Sequence, residues 1–206
     1  MKALAGDARL LVMLRDPVKR AYSHYHMSID PNGTPAQKKN RGLHVWGGKG
    51  FEEVVAQELD ELRQAGVDEK TSPEEFAEKY LCSRPNNHGS HSLLARGMYA
   101  LQLKPWLEAF PTGQVKVIFL EDIVQSEESL QSAMNGVFEH IGLPPVPVED
   151  KSPHNTREYP PLSEGTAHRL RRFYQCHDQA LCRLLGRDRL PWPDAEPTSS
   201  GAIAKG

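Results

Sequence analysis

The chain has 206 residues, of which 25 are Lys or Arg and 27 are Asp or Glu, so its formal net charge is −2. A balance this close to neutral excludes the strongly basic surface on which bulk binding to nucleic acid or to an anionic membrane depends. Three cysteines are too few for a disulfide framework, and no apolar run reaches the roughly 18 residues of a membrane span. The length predicts one α/β domain over residues 1–190, followed by a disordered tail over residues 191–206.

The first predicted element is a strand over residues 9–14, an almost wholly apolar run that is typical of a strand buried on both faces of a parallel sheet. A helix follows it, because Asp16 is a good cap and Pro17 fits the first helical turn, where its missing N–H has no cost. This helix runs to about Met27. Residues 30–50 are rich in turn formers and charges, and we expect them to form a long polar loop.

Apolar periodicity predicts five further helices, over residues 51–63, 73–81, 92–110, 126–141 and 164–185. A second strand lies in the segment QVKVIFLED, between the third and fourth of these helices. In the helix over residues 92–110, Pro105 is expected to cause a kink or a restart, and Trp106 falls on the apolar side and is expected in the core. Strands that alternate with helices predict an α/β fold, with a parallel sheet flanked by helices.

The stretch LRDPVKRAYS joins the first strand to the first helix and carries the first candidate site. Ligands of parallel sheets bind beyond the carboxyl ends of the strands, which places Arg15 at the ligand edge. Ser23 lies seven positions after Asp16, almost two helical turns, and therefore near the same face as the helix start. An arginine fork, a serine hydroxyl and a helix N-terminus together suit a phosphate monoester. The alternative is a plain strand-to-helix junction, with Arg15 paired to a carboxylate and Ser23 without a role.

The stretch LRDPVKRAYSHY resembles the 3′-phosphate-binding motif of sulfotransferases that use 3′-phosphoadenosine 5′-phosphosulfate, above all the carbohydrate branch that modifies heparan sulfate. Three later segments resemble the same family in the same order: ARGMYALQLKPWLEAFP, QVKVIFLEDI and PPLSEGTAHRLRRFYQCHDQALCRLLGR. In the last segment the family's usual pattern has an asparagine near Asp178. The resemblance covers roughly residues 8–190 and implies a P-loop-NTPase-like sulfotransferase fold.

The resemblance also implies which residues bind the donor. In this family an arginine at the strand end and a serine eight residues later hold the 3′-phosphate, which assigns that role to Arg15 and Ser23. The predicted cofactor-binding set is completed by residues of the R-G-x-Y segment and of the loop before the last helix: Arg96, Tyr99, His154, Asn155 and Arg157. For Arg96 the alternative is an ordinary surface or helix-start arginine. No metal ligand is predicted, because the family's sulfuryl transfer requires none.

Two parts of the family's site have no counterpart before Arg15. The Gly/Thr-rich loop with a lysine, which wraps the donor's 5′-phosphosulfate, is missing, and so is the interval that carries the usual glutamate base. We therefore expect an N-terminally truncated sulfotransferase domain, and no residue is assigned as catalytic. Glu121 and Asp122, at the end of the second strand, are interpreted as cap or arginine partners, with acid–base work as the alternative.

The resemblance predicts transfer of a sulfuryl group from 3′-phosphoadenosine 5′-phosphosulfate to a hydroxyl or amine of a carbohydrate such as a glycosaminoglycan. The expected partners are a carbohydrate acceptor and no nucleic acid, in the Golgi lumen, with membrane attachment only through an N-terminal anchor that this chain lacks. The alternative is a non-catalytic truncated α/β module that keeps at most 3′-phosphonucleotide binding. A relative of the nucleoside-phosphate kinases is a third hypothesis, and it would also require a phosphate loop.

Overall fold

The sheet has two parallel strands, β1 (Leu10–Leu14) and β2 (Val115–Phe119), within the part of the chain that the structure describes. Leu10 lies opposite Val115, and Leu14 lies opposite Phe119. The chain between the strands is largely helical, as the crossover of a parallel pair requires. The computed structural model describes residues 6–41, 46–68, 70–81, 92–111, 113–152 and 156–195.

Helices flank this sheet, and with it they confirm the predicted α/β class. In chain order they are α1 (Pro17–Ile29), α2 (Pro35–Arg41), α3 (Phe51–Gln64), α4 (Pro73–Phe76), α5 (Tyr99–Ala109), α6 (Leu120–Ile123), α7 (Glu127–Ile141) and α8 (Glu164–Leu185). A π-helical turn, Ala77–Leu81, follows α4, and a 3₁₀ turn, Ala95–Gly97, precedes α5. None of the helices within the described ranges combines the length and the apolar character needed to cross a membrane.

Short polar side chains cap the helices where the sequence predicts helix starts. The Asp16 carboxylate accepts hydrogen bonds from the backbone N–H groups of Val18 and Lys19 at the start of α1. The hydroxyls of Ser126 and Ser163 cap α7 and α8 in the same way. Each cap satisfies N–H groups that have no partner inside the helix, which is why these starts could be predicted from local sequence.

Two predicted elements differ from the structure. Residues 30–50 are not one long loop, because α2 lies among them. The Thr34 hydroxyl accepts from the Gln37 N–H and the Gln37 side chain accepts from the Thr34 N–H, which is a capping box. The helix predicted over residues 92–110 begins only at Tyr99, after the 3₁₀ turn, and Pro105 lies inside it without ending it.

Two hydrophobic clusters hold the elements together, and α8 contributes to both. The first lies between α1, α3 and α8 and includes the fully buried Leu170 and Tyr174. The second lies between the sheet, α5 and α8 and includes Leu14, Phe119 and Leu181. A helix of 22 residues spans about 33 Å, which is long enough to reach both clusters.

One face of β1 is open, so the prediction that this strand is buried on both faces is wrong. Leu11 is 42% exposed and Met13 is 58% exposed, whereas Leu14 is buried. Side chains of a strand alternate between its faces, and only the face with Val12 and Leu14 packs on the second cluster. Trp106 lies beside this open face and is 39% exposed, so its predicted core position is wrong as well.

The chain packs into the core beyond residue 190. Trp192 is buried, with its ring centroid 5.7 Å from that of Phe119, and its indole N–H donates to Asp178 Oδ2 at 3.0 Å. The boundary predicted after residue 190 assigns Trp192 to the tail, although its side chain packs in the core. Residues 196–206 lie outside the described ranges, so their predicted disorder stays a prediction.

Candidate functional site

A cavity of about 630 Å³ lies along β1 and beyond its carboxyl end. Its polar end carries three guanidinium groups, those of Arg15, Arg20 and Arg96, and its apolar walls come from β1 and from side chains of α5 that include Trp106. No carboxylate of the described residues lines it. We call it the arginine cavity, and its composition favours an anionic ligand.

The backbone at Arg15 is held in place from two sides. The Tyr99 hydroxyl donates to the Arg15 carbonyl oxygen at 2.7 Å, and the Asp16 N–H donates to Glu121 Oε1 at 2.9 Å. Burial raises the pKa of Tyr99 to about 12, so its hydroxyl remains a neutral donor at physiological pH. Tyr99 thus lies at the predicted site and supports Arg15 through the backbone, besides lining the cavity.

Arg15 itself is available for a ligand. None of the described carboxylates forms an ion pair with it, whereas the neighbouring Asp16 is fully buried and pairs with Arg171 of α8. This arrangement disfavours the alternative in which Arg15 merely pairs with a carboxylate. The Asp16 cap already occupies the first N–H groups of α1, so the helix start offers a ligand fewer free donors than the sequence suggests.

Arg96 lies on the 3₁₀ turn, which a buried glutamate from α3 holds. The carboxylate of Glu58 accepts four hydrogen bonds, from the Ser92 hydroxyl at 2.9 Å and from the N–H groups of Leu93, Leu94 and Ala95 at 2.7, 2.8 and 3.1 Å. Burial raises the pKa of Glu58, and these hydrogen bonds oppose the rise. Because the carboxylate binds the N–H groups of residues 93–95, it anchors the segment that leads into Arg96 and precedes α5.

Gly97 follows Arg96 at a point where no side chain fits. A Cβ atom there would lie 2.6 Å from the Tyr174 hydroxyl oxygen and 2.9 Å from Pro17 Cβ. The Tyr174 hydroxyl donates to the Leu94 carbonyl oxygen at 2.9 Å, so α8 also fixes the turn. The R-G pair therefore places Arg96 against the start of α1.

Arg20 is a cavity residue that the sequence reasoning missed. One of its terminal nitrogens donates to the Leu93 carbonyl oxygen, and its Nε is buried with no hydrogen-bond partner among the described residues. Burial and the charge of Arg20 both lower the pKa of Arg96. A signal was present in the sequence, because Arg20 lies one helical turn after the Asp16 cap and so on the side of the helix start.

Of the other predicted binding residues, Ser23 and Arg157 do not line this cavity. Ser23 lies on α1, partly buried, about two turns after Asp16. Arg157 pairs with Asp30 at the opposite end of α1, with Nε 3.6 Å from Oδ2. A helix of 13 residues separates the two ends by about 20 Å, so Arg157 is not brought together with Arg15. His154 and Asn155 lie outside the described residues.

The loop before α8 packs on the side of α1. The Tyr159 ring stacks on His26 with centroids 4.4 Å apart, and the Tyr22 hydroxyl donates to the Pro160 carbonyl oxygen at 2.8 Å. Ser23 follows Tyr22 directly, so this loop contacts the helix close to Ser23. The contact gives the loop a fixed position even though Arg157 points to the far end of the helix.

Of the two acidic residues that follow β2, Asp122 pairs with an arginine as interpreted from sequence, whereas Glu121 binds the backbone of the residue that caps α1. Glu121 accepts the Asp16 N–H, and Asp122 Oδ2 lies 3.7 Å from an Arg187 nitrogen. The second oxygen of Glu121 is buried without a partner among the described residues. Within the described ranges, no three His, Cys, Asp or Glu side chains cluster in a way that would hold a metal ion.

The chain is similar in sequence to several known sulfotransferases. The chain is 24% identical over 226 residues to the membrane-associated sulfotransferase kil1 of Dictyostelium discoideum, covering 88% of this chain and 47% of that protein. It is 27% identical over 203 residues to human carbohydrate sulfotransferase 15, covering 92% of this chain and 32% of that protein. It is 24% identical over 213 residues to mouse heparan sulfate glucosamine 3-O-sulfotransferase 3B1, covering 91% of this chain and 44% of that protein. No protein-family model matches the chain.

The fold is similar to that of a solved sulfotransferase from Alicyclobacillus acidocaldarius, with a TM-score of 0.55 and 25% identity over 91% of this chain and 58% of that one. The protein therefore has an α/β fold of the sulfotransferase type. These relatives are sulfotransferases, as the resemblance in the sequence predicts, and they include carbohydrate and heparan sulfate enzymes. The chain spans about a third to a half of the length of these curated relatives.

Proposed function

We propose that this protein transfers a sulfuryl group from 3′-phosphoadenosine 5′-phosphosulfate to a hydroxyl or amine of a carbohydrate, of the glycosaminoglycan type. One observation carries the proposal. Arg15 lies at the carboxyl end of β1, its backbone is held by Tyr99, and no described carboxylate neutralises its side chain. The names of the relatives support the carbohydrate acceptor.

In this proposal Arg15 and Ser23 bind the 3′-phosphate of the donor through their side chains. The guanidinium provides two parallel donors and a positive charge, and the serine hydroxyl provides a neutral donor. The Asp16 carboxylate already accepts hydrogen bonds from the N–H groups of Val18 and Lys19. In this proposal the phosphate is therefore bound by the side chains of Arg15 and Ser23 and not by the start of α1. Arg171 compensates the negative charge of Asp16 and so reduces its repulsion of the phosphate.

The chemical step forms a bond between the acceptor oxygen or nitrogen and the sulfur, while the bond from sulfur to the 5′-phosphate oxygen breaks. A base removes the acceptor's proton, and the leaving 3′,5′-ADP takes up the electron pair. We assign no described residue as that base. The same proposal includes, by similarity to the family, a location in the Golgi lumen.

Calorimetric binding of 3′,5′-ADP and of 5′-AMP tests the proposal. The protein should prefer 3′,5′-ADP, because only this nucleotide carries the 3′-phosphate. Arg15→Ala and Ser23→Ala should each weaken 3′,5′-ADP binding by about ten- to hundredfold, which corresponds to one lost hydrogen bond to a charged group. Arg63→Ala, an exposed arginine on α3, is the matched control and should bind like the unchanged protein.

Equal binding of the two nucleotides, or no binding by a folded chain, would contradict the proposal. That result would favour the non-catalytic α/β module instead. Folding is checked independently by thermal unfolding, which should be cooperative in every variant that is compared.

A further inference from the structure

Arg20 has more hydrogen-bonding capacity than its described partner uses. One terminal nitrogen donates to the Leu93 carbonyl oxygen, while Nε is buried and unpaired among the described residues. A buried donor without a partner costs about 1–3 kcal/mol. A guanidinium has five N–H donors in a fixed plane, so a single contact with Leu93 does not account for this residue.

The surroundings of Arg20 are positively charged. Arg15 and Arg96 line the same cavity, and no described carboxylate lines it. Three guanidinium groups that share a space without a counter-charge repel one another, and the lowered pKa of Arg96 reflects that repulsion together with burial. An anion between them would offset this repulsion.

Nearby anions of the protein do not fill this role. The Asp16 carboxylate is committed to Arg171 and to the cap of α1. Glu58 is committed to the backbone of residues 93–95 and to Ser92. The positive end of the cavity therefore remains open to a ligand.

We propose that Arg20 and Arg96 form an oxyanion subsite beside Arg15, which binds a phosphate or sulfate group through the guanidinium groups that line the cavity. This subsite is separate from the pair of Arg15 and Ser23, and it does not depend on sulfuryl transfer. The apolar walls with Leu103 and Trp106 suit a ligand whose anionic group is attached to a ring. Such a group belongs either to a nucleotide or to a sulfated sugar.

Inorganic pyrophosphate is the probe, because it carries the anionic groups without a base or a sugar. Calorimetry should show binding to the full chain, weakened at least tenfold by Arg20→Gln and by Arg96→Gln. Arg20→Lys keeps the charge and the reach to Leu93 but loses the planar fork, and should be intermediate. Lys19→Gln, at the exposed neighbouring position, changes the net charge equally and should bind like the unchanged protein.

Thermal unfolding separates binding from a structural role. A purely structural Arg20 would lower the melting temperature in Arg20→Gln and leave the pyrophosphate affinity of the folded protein unchanged. That outcome, or the absence of pyrophosphate binding by the unchanged protein, overturns the subsite. If Arg20→Gln does not fold, Arg96→Gln and Arg20→Lys decide the same question.

Competition then identifies the source of the anion. Displacement of pyrophosphate by 3′,5′-ADP assigns the subsite to a nucleotide, and displacement by a sulfated heparin disaccharide assigns it to a glycan. Failure of the subsite is distinguishable from failure of the proposed function, because the latter is tested by the preference for 3′,5′-ADP over 5′-AMP. Pyrophosphate binding that depends on Arg20, without that preference, would support the subsite alone.

Discussion

Arg171 of α8 donates to both carboxylate oxygens of Asp16, a residue 155 positions earlier in the chain, with Nη1 2.9 Å from Oδ1. Asp16 is fully buried, caps α1, and donates its N–H to Glu121 at the end of β2. One residue thus joins the last helix, the first helix and α6, the short helix that follows β2. The position of Arg15 depends on this junction.

Arg171→Met should destabilise the protein by about 3–5 kcal/mol, because it leaves the Asp16 carboxylate buried without its partner. Urea denaturation measures the change. The double variant Asp16→Asn with Arg171→Met should lose less than the sum of the two single variants, since the pair acts as a unit. Arg172→Met, on the exposed side of the same helix, is the control. If the effects of Asp16→Asn and Arg171→Met simply add in the double variant, the two residues do not act as a unit and the expectation is wrong.

Glu58→Ala should also destabilise the protein strongly, by about 3–5 kcal/mol. It removes one carboxylate that accepts from a hydroxyl and three backbone N–H groups, all of them buried. Glu58→Gln should lose less, because it keeps the shape and one acceptor oxygen. Chemical denaturation is the measurement, and Glu53→Ala, exposed on the same helix, is the control. A Glu58→Ala variant as stable as Glu53→Ala would show that the segment is not held by this carboxylate.

Gly97→Ala should cost about 1–3 kcal/mol, because the added methyl group overlaps the Tyr174 hydroxyl and Pro17. Gly165→Ala is a matched control in the first turn of α8, where nothing lies within 4 Å of the new Cβ. That substitution should be neutral or stabilising by up to about 1 kcal/mol, as for alanine in a helix. Similar melting temperatures for the two variants would disprove the close approach at Gly97.

The free energy of unfolding should depend on the protonation of Asp178. Burial raises the pKa of this carboxyl from 3.8 to about 7 in the folded protein. Between about pH 4 and pH 7 the folded state therefore binds more protons than the unfolded state, and stability falls as the pH rises through this window. The contribution of this group is at most about 4 kcal/mol, present below pH 4 and lost by about pH 7.

Asp178→Asn should abolish that part of the pH dependence, because the amide has no proton to lose and still accepts the Trp192 N–H. Asparagine is also the residue type that the family pattern has near this position. Urea denaturation from pH 4 to pH 8 gives the stability profile of the unchanged protein and that of Asp178→Asn. Burial also lowers the pKa of His26, which contributes equally to both profiles, so their difference isolates the contribution of Asp178. Parallel profiles would show that folding does not raise the pKa of Asp178.

The parts of the fold that follow from local sequence were predictable. Asp16, Ser126 and Ser163 cap helices whose starts the sequence indicates, and the apolar periodicity of α8 continues over its whole length. The capping box of Thr34 and Gln37 is equally local, and α2 was missed only because the charged residues around it favoured a loop. These signals involve residues two to four positions apart, so they do not require knowledge of the packing.

The parts of the site that depend on distant partners were not predictable. Arg15 and Ser23 follow from their motif, but the role of Glu58 depends on residues 34 to 37 positions away, and that of Arg171 on a residue 155 positions away. For Trp106 the local pattern was correct and the packing was not. Its side of the helix is apolar, as predicted, but that side borders a cavity instead of the core. A sequence gives the chemistry of each side chain, and the packing of α1, α3 and α8 decides which of them meet.

The position of Trp192 determines where the polypeptide can be shortened. A chain cut after residue 190 would lose the indole that covers Phe119 and Tyr99 and that donates to Asp178. It would expose aromatic surface to solvent and leave a buried acid without its donor. A cut after residue 195 preserves these contacts, so trimming by a protease should stop on the far side of Trp192.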